Sequence, residues 1–417
     1  MDAVTRRKFL IASGVLGGGA VGLGAAIGLA DLLHRAKAQD PEEPGDNPDK
    51  LVVVTLYGGN DGLATVVPHG DDAYQSARPE LAYASGQVLD LNGTLGLNPA
   101  LVGLKKLWDD GQLAIVLGVG YPQPDRSHFH SMDVWQTASP AHPIKSGWVG
   151  RWLDAVKGPL ETAVSFEPVL PPLLVGAERS GVSVGVSGLQ LPAGITSDML
   201  ARLGQVVPGE PMIGARAAAG IRDLLDIDRL VREAERAERP STGTRQEIPA
   251  TGTGGESALA AQLNLVASCV EAGVRTRVYS VSLGGFDLHA QERAGQEMLL
   301  RELDQALTPF VQRLSATQAG RRVTVVVYSE FGRRVRANSA FGTDHGTAGP
   351  MFVLGPHVAG GLHGVQPSLT DLDDGDLKMT TDFRDVFGSI IESVLHPDPE
   401  RFLEGHKLRP IPLIKKA

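Results

Sequence analysis

The feature that most constrains this chain is a set of short, uninterrupted apolar runs, each ending in a glycine-bordered polar segment. Leu51–Leu56 is continuous, apolar and rich in β-branched residues, and it stops at Gly58-Gly59-Asn60-Asp61-Gly62. Such a run reads as a strand buried on both faces, which is the habit of parallel sheets. Leu113–Leu117, Val323–Tyr328 and the shorter Met351–Leu354 follow the same pattern, and Arg277–Leu283 also reads as a strand. Helical stretches are expected between them, at Pro99–Asp109, from Ser127 to Thr137, at Leu259–Ala272, Gln291–Gln318 and Asp382–Leu395. Strands alternating with helices predict an α/β fold with a central, mostly parallel sheet.

The N-terminus reads differently. Arg6-Arg7-Lys8 precedes an apolar run from Phe9 to Ala30, and Arg35-Ala36-Lys37-Ala38 offers small residues to a signal peptidase. This layout is that of an export signal, and the paired arginines give it the twin-arginine class. Cleavage after Ala38 is expected, with a retained membrane anchor as the alternative, since about 20 apolar residues can span a bilayer. The twin-arginine translocase is then a partner, the destination is periplasmic or extracellular, and membrane contact follows only if the signal stays. Residues 39–50 are polar and proline-bearing and read as a linker. Residues 51–417 read as a single domain, with a helical and polar insert around 198–258.

Removing residues 1–38 takes away five basic and two acidic residues, which leaves 34 basic against 46 acidic and a net charge of −12. That balance argues against nucleic acid as a partner. The one cysteine, Cys269, rules out an internal disulfide and sits in an apolar helical stretch.

In parallel sheets, chemistry collects at the carboxyl ends of the strands. Asp61 follows the first strand, and Arg126-Ser127-His128 follows the second. Asp287-Leu288-His289 follows the third, and Glu330-Phe331-Gly332-Arg333 then Thr343-Asp344-His345-Gly346 follow the fourth. Asp287 and His289, two apart, share a face in extended backbone. Aspartate oxygens and histidine nitrogens suit zinc and other borderline divalent ions. Ser127 stands where a helix N-cap belongs, which is also where an anion docks. His128 reads equally as a ligand, a general acid or a packed helix histidine. Glu330 reads as a ligand, an orienter of a ligand or a partner of Arg333.

Together these motifs strongly resemble the domain-of-unknown-function family numbered 1501. Leu56-Tyr57-Gly58-Gly59-Asn60-Asp61-Gly62, Gly147-Trp148-Val149-Gly150-Arg151, Phe286-Asp287-Leu288-His289, Glu330-Phe331-Gly332-Arg333 and Gly342-Thr343-Asp344-His345-Gly346 carry the resemblance. That family looks like a branch of the alkaline phosphatase and sulfatase superfamily. The resemblance implies a three-layer α/β/α sandwich and a hydrolase of phosphate or sulfate esters, on a small-molecule or carrier-linked substrate. It implies one metal at Asp61, Asp344 and His345, with Ser127 beside it as nucleophile, and a second at Asp287 and His289. His363 resembles the superfamily's last histidine ligand. Arg126 or Arg333 would bind the equatorial oxygens. Zinc is the expected ion, with manganese, magnesium or calcium as alternatives. Ser127 lacks the sulfatase motif that yields formylglycine, so a phosphate-type hydrolase is favoured. The alternative is a non-catalytic relative that binds or assembles at the cell envelope.

Overall fold

The structure, a computed structural model, describes residues 49–184 and 259–415. The expected signal, nearly all of the linker and the insert around 198–258 lie outside the described residues. No described helix is long and apolar enough to cross a membrane.

Among the described residues, nine strands form the main sheet: β1 (Lys50–Leu56), β2 (Leu113–Gly120), β3 (Ala163–Ser165), β4 (Val182–Ser183), β5 (Val278–Leu283), β6 (Val323–Ser329), β7 (Gly349–Leu354), β8 (Gly361–His363) and β9 (Thr381–Asp382). Their order is β8-β2-β7-β6-β1-β5-β3-β4, with β9 following β8 along the outer edge of β2. All pairings are parallel except those of β7, which runs antiparallel to both β2 and β6. The mostly parallel sheet expected from the apolar runs is thus present, and its one reversal falls on the shortest run named in the sequence.

Alternation along β1 explains the layers. Val52, Val54 and Leu56 face one side, where they pack with α1 (Val102–Asp109), α4 (Leu259–Glu271) and α5 (Glu292–Ser315). Leu51 and Val53 face the other, against α2 (His128–Thr137), α3 (Trp148–Val156) and α6 (Phe383–Ile390). The second face is aromatic: Trp135 stacks on Tyr328 at 5.2 Å, and Trp148 lies 5.0 Å from Phe387. Two helical layers on one sheet give the three-layer α/β/α sandwich. Cys269 is fully buried in α4.

A smaller lobe, with its own core around Leu63, Val67, Tyr83 and Val335, sits beyond the strand ends. It includes the hairpin Arg333–Ala337/Thr343–His345, which pairs Arg333 with His345. Leu56 of β1 is in register with Leu283 of β5 and Ser329 of β6. The three loops that follow therefore leave the sheet side by side.

Glu167, just past β3, is fully buried and accepts hydrogen bonds from Ser280 Oγ at 2.6 Å and Tyr57 OH at 3.1 Å. Burial pushes its carboxyl up to about 7, against those hydrogen bonds. An unfolded chain ionises this group near 4.5. Its contribution to stability is therefore complete below pH 4.5 and is lost as pH rises through about 7. The wild-type chain should lose on the order of 3 kcal/mol from this source over that window, and Glu167→Gln should not. Urea midpoints of both proteins at pH 5 and pH 8 test this. Equal losses would remove Glu167 as the source.

Candidate metal centre

The loop after β1 opens with Tyr57-Gly58-Gly59. Gly58 has φ +114° and Gly59 φ +70°. A Cβ on Gly58 would lie 2.5 Å from the Asp287 nitrogen, and one on Gly59 would lie 2.2 Å from the Phe331 ring. Only glycine permits both the backbone conformation and the approach. This brings the three strand-end loops together.

Where they meet, side chains converge. His128, Asp287 and His345 bring donor atoms within 4.8 Å of one another, close enough to share an ion. His128 Nε2 and His345 Nε2 are 3.1 Å apart, and Asp287 Oδ1 lies 3.4 and 3.0 Å from them. His289 joins from the half-exposed side, its Nε2 2.9 Å from Asp287 Oδ1 and 3.0 Å from His345 Nε2. Zinc–nitrogen and zinc–oxygen bonds of about 2.0–2.2 Å place neighbouring tetrahedral donors about 3.3 Å apart, so the spacing fits such an ion.

The other ring nitrogens fix how these imidazoles face. His345 Nδ1 meets the Arg126 carbonyl at 2.8 Å. A carbonyl only accepts, so that nitrogen carries the hydrogen and Nε2 turns a lone pair inward. His128 Nδ1 meets Glu330 Oε1 at 2.8 Å, and the same oxygen accepts the Gly58 N–H at 2.9 Å. His128 Nε2 therefore also presents a lone pair. Two lone pairs and a carboxylate oxygen at these distances repel one another unless a cation, either a proton or a metal, lies between them. Carboxylate- and carbonyl-anchored imidazoles are the usual support of metal ligands.

The charges agree. Burial opposes ionisation of Asp287, but the hydrogen bond from Arg333 and its charge work against burial, and the carboxyl is held down at about 2. Burial also lowers His345 below the ordinary histidine value. For His128 the burial effect is outweighed by the hydrogen bond and charge of Glu330, with help from Asp287, and its pKa is raised. Without a metal, His128 is the residue that takes the proton.

The family described as "Protein of unknown function (DUF1501)" matches residues 48–417. This chain belongs to the DUF1501 family. No curated protein matches it. Among solved structures, a protein in the alkaline phosphatase superfamily from Vibrio parahaemolyticus matches at 9% identity and TM-score 0.40, over 88% of this chain and 74% of that one. The lipoteichoic acid synthase LtaP from Listeria monocytogenes matches at 10% identity and TM-score 0.35, over 93% and 80%. A magnesium-bound mutant of TAB5 alkaline phosphatase matches at 12% identity and TM-score 0.33, over 76% and 94%. Likeness of this strength does not assign a chemistry.

In this DUF1501 chain the expected ligands are regrouped. Asp287, His289 and His345 come together as one set, joined by His128, where the motifs had suggested two. Asp344 stands apart from His345 because the two are successive residues of a strand and point to opposite faces. Its carboxylate is exposed, accepts from Asn338 Nδ2 at 3.2 Å and lies 3.8 Å from His289 Nδ1, on the outer side. Asp61 is buried and its oxygens are taken: one caps the turn Gly62–Thr65 through Leu63 N–H, the other meets Arg78 at 2.5 Å. Burial opposes its ionisation, and the Arg78 charge overcomes this and lowers its pKa. His363 lies on the edge strand β8 opposite Val116, with Nε2 donating to the Ala359 carbonyl at 2.9 Å, and it is not in the converging group.

The two arginines are also committed. Arg333 is buried, and each of its three nitrogens donates within the protein: to Gly58, Gly59, Phe286 and Thr343 carbonyls and to Asp287 Oδ1. It holds the loops and has no nitrogen left over for a substrate. Arg126 binds Asp376 and Asp374. Ser127 is the exposed N-cap of α2, directly between Arg126, whose carbonyl holds His345, and His128. Glu330 takes the orienting role among the three open to it.

His345→Ala should remove bound zinc or manganese, whereas Asp344→Ala should leave it in place. Metal content by mass spectrometry on both variants checks this, and equal retention would contradict the grouping.

Proposed function

We propose that this protein is a metal-dependent hydrolase of phosphate or sulfate esters with Ser127 as nucleophile. The observation that carries the reading is the inward-facing pair of imidazole lone pairs with Asp287, which needs a cation. A nitrogen-rich set at this spacing favours zinc, with manganese next, over magnesium or calcium, which prefer oxygen. Bound there, the ion would supply Lewis acidity to an ester oxygen and to a nearby hydroxyl.

The chain supplies the rest. Ser127 caps α2, whose free N–H groups and dipole attract a tetrahedral oxyanion. Its hydroxyl lies one residue from His128 on one side and one residue from the His345 anchor on the other. In the reaction the Ser127 Oγ bond to phosphorus or sulfur forms as the ester bond breaks. The serine proton ends on the departing alcohol, and water then releases the serine. Glu330 and the Arg126 carbonyl hold the two imidazoles in their tautomers throughout. The N-terminal sequence supports export through the twin-arginine translocase, and the acidic mature chain supports a small or carrier-linked ester rather than nucleic acid as substrate.

One observation favours a non-catalytic relative: both arginines suited to grip an anion are bound inside the protein. Turnover separates the readings. With zinc or manganese supplied, p-nitrophenyl phosphate, bis-p-nitrophenyl phosphate and p-nitrophenyl sulfate should include a substrate. Ser127→Ala should lower kcat by about 10³-fold or more while metal content is unchanged. A fully active Ser127→Ala variant would sink the serine mechanism, and no turnover of any ester would favour the non-catalytic reading.

A further inference from the structure

In Glu330-Phe331-Gly332-Arg333, the outer two residues serve the cluster: Glu330 orients His128, and Arg333 ties the loops together. Phe331 lies between them in sequence. It is buried, yet it is a member of none of the three apolar cores formed by the described residues. Its ring lies against the cluster instead. The ring centroid is 4.8 Å from that of His128 and 4.9 Å from that of His345, tilted by 39° and 37°. The two imidazoles meet each other edge-on, at 4.4 Å and 75°, so one phenyl ring touches both.

Two glycines make room for this ring. A Cβ on Gly59 would contest the space with three of its atoms, at 2.2, 2.6 and 3.3 Å. A Cβ on Gly332 would lie 2.2 Å from the Ala348 carbonyl oxygen. Without one, the Gly332 N–H donates to the Thr347 carbonyl and its own carbonyl accepts from Gly346. Phe331 is thus held between the loop after β1 and the end of the hairpin. Each imidazole is fixed at Nδ1, on Glu330 or on the Arg126 carbonyl. One hydrogen bond still lets a ring rock about it. A ring contact removes that freedom, since tilted aromatic rings at this separation attract. The side chains of the four donor residues are 21–46% exposed, whereas Phe331 is buried, so its ring covers their inner side.

We infer that Phe331 is a positioning residue of this centre. It holds the His128 and His345 rings so that both Nε2 lone pairs meet at one point, and it keeps water off their inner side. An ion held there is dry behind and open toward the half-exposed His289, which strengthens its pull on an incoming oxygen. Only this last step rests on the metal-dependent reading; the orientation of the rings belongs to the metal-free chain.

Phe331→Leu removes the ring and keeps an apolar side chain. Phe352→Leu makes the same change in the sheet core and serves as the control. Urea midpoints show that both variants fold. In the metal-free full chain, nitrogen NMR of neutral His345 should show one tautomer, with the hydrogen on Nδ1, in the wild type and in Phe352→Leu. Phe331→Leu should populate both tautomers. It should also weaken zinc binding about 10-fold or more, read by competition with a chromophoric chelator. The visible absorption of its cobalt(II) form should shift as well. Phe352→Leu should change neither. A single His345 tautomer in Phe331→Leu, an unchanged zinc affinity, or equal changes in Phe352→Leu would overturn the role of Phe331. A wild-type chain that takes up no zinc removes the metal-dependent reading alone, and the His345 tautomer still decides what Phe331 does.

Discussion

The buried guanidinium of Arg333 ties the candidate site together. Its donors reach carbonyls at Gly58 and Gly59 after β1, at Phe286 after β5, and at Thr343 across its own hairpin, and they end on Asp287. An unpartnered charge in this position would be very costly to bury, and here every nitrogen is answered. Arg78 grips the same hairpin from the other side, through the Arg334 and Val335 carbonyls, while it pairs with Asp61. The hairpin that carries His345 is therefore held by two buried arginines, Arg78 on one strand and Arg333 across both.

The carboxylates divide the work by their surroundings. Asp287 faces the imidazole nitrogens and stays ionised beside Arg333. Glu330, one residue past β6, is buried behind His128 and never faces the cluster's interior directly. Asp61 and Glu292 share a buried pocket in which burial and the Asp61 charge push Glu292 upward, while Arg78 keeps Asp61 down. Asp287 and Glu292, five residues apart in sequence, thus end in different chemical roles.

Much of the sheet was legible because its signal is local. Leu51–Leu56, Leu113–Leu117 and Val323–Tyr328 each carry an apolar run that fits a strand buried on both faces, and all three are strands. Asp287 and His289 were legible for the same reason, since a spacing of two is a local rule. The rest depended on distant partners. Nothing near Arg333 in sequence reveals that four of its five partners sit 46 to 275 residues away. Asp344 and His345 look like a pair until the strand between Thr343 and His345 turns them apart. Arg78, fully buried and central to the lobe, carries no motif at all.

The donors of the cluster come from chain segments far apart, with 217 residues separating His128 from His345. No stretch of the unfolded chain gathers them, and no fragment ending before the hairpin contains His345. An ion held by these donors would therefore be captured late, after the fold is complete. Which ion that would be then depends on the ions present where folding finishes as well as on the preference of the donors.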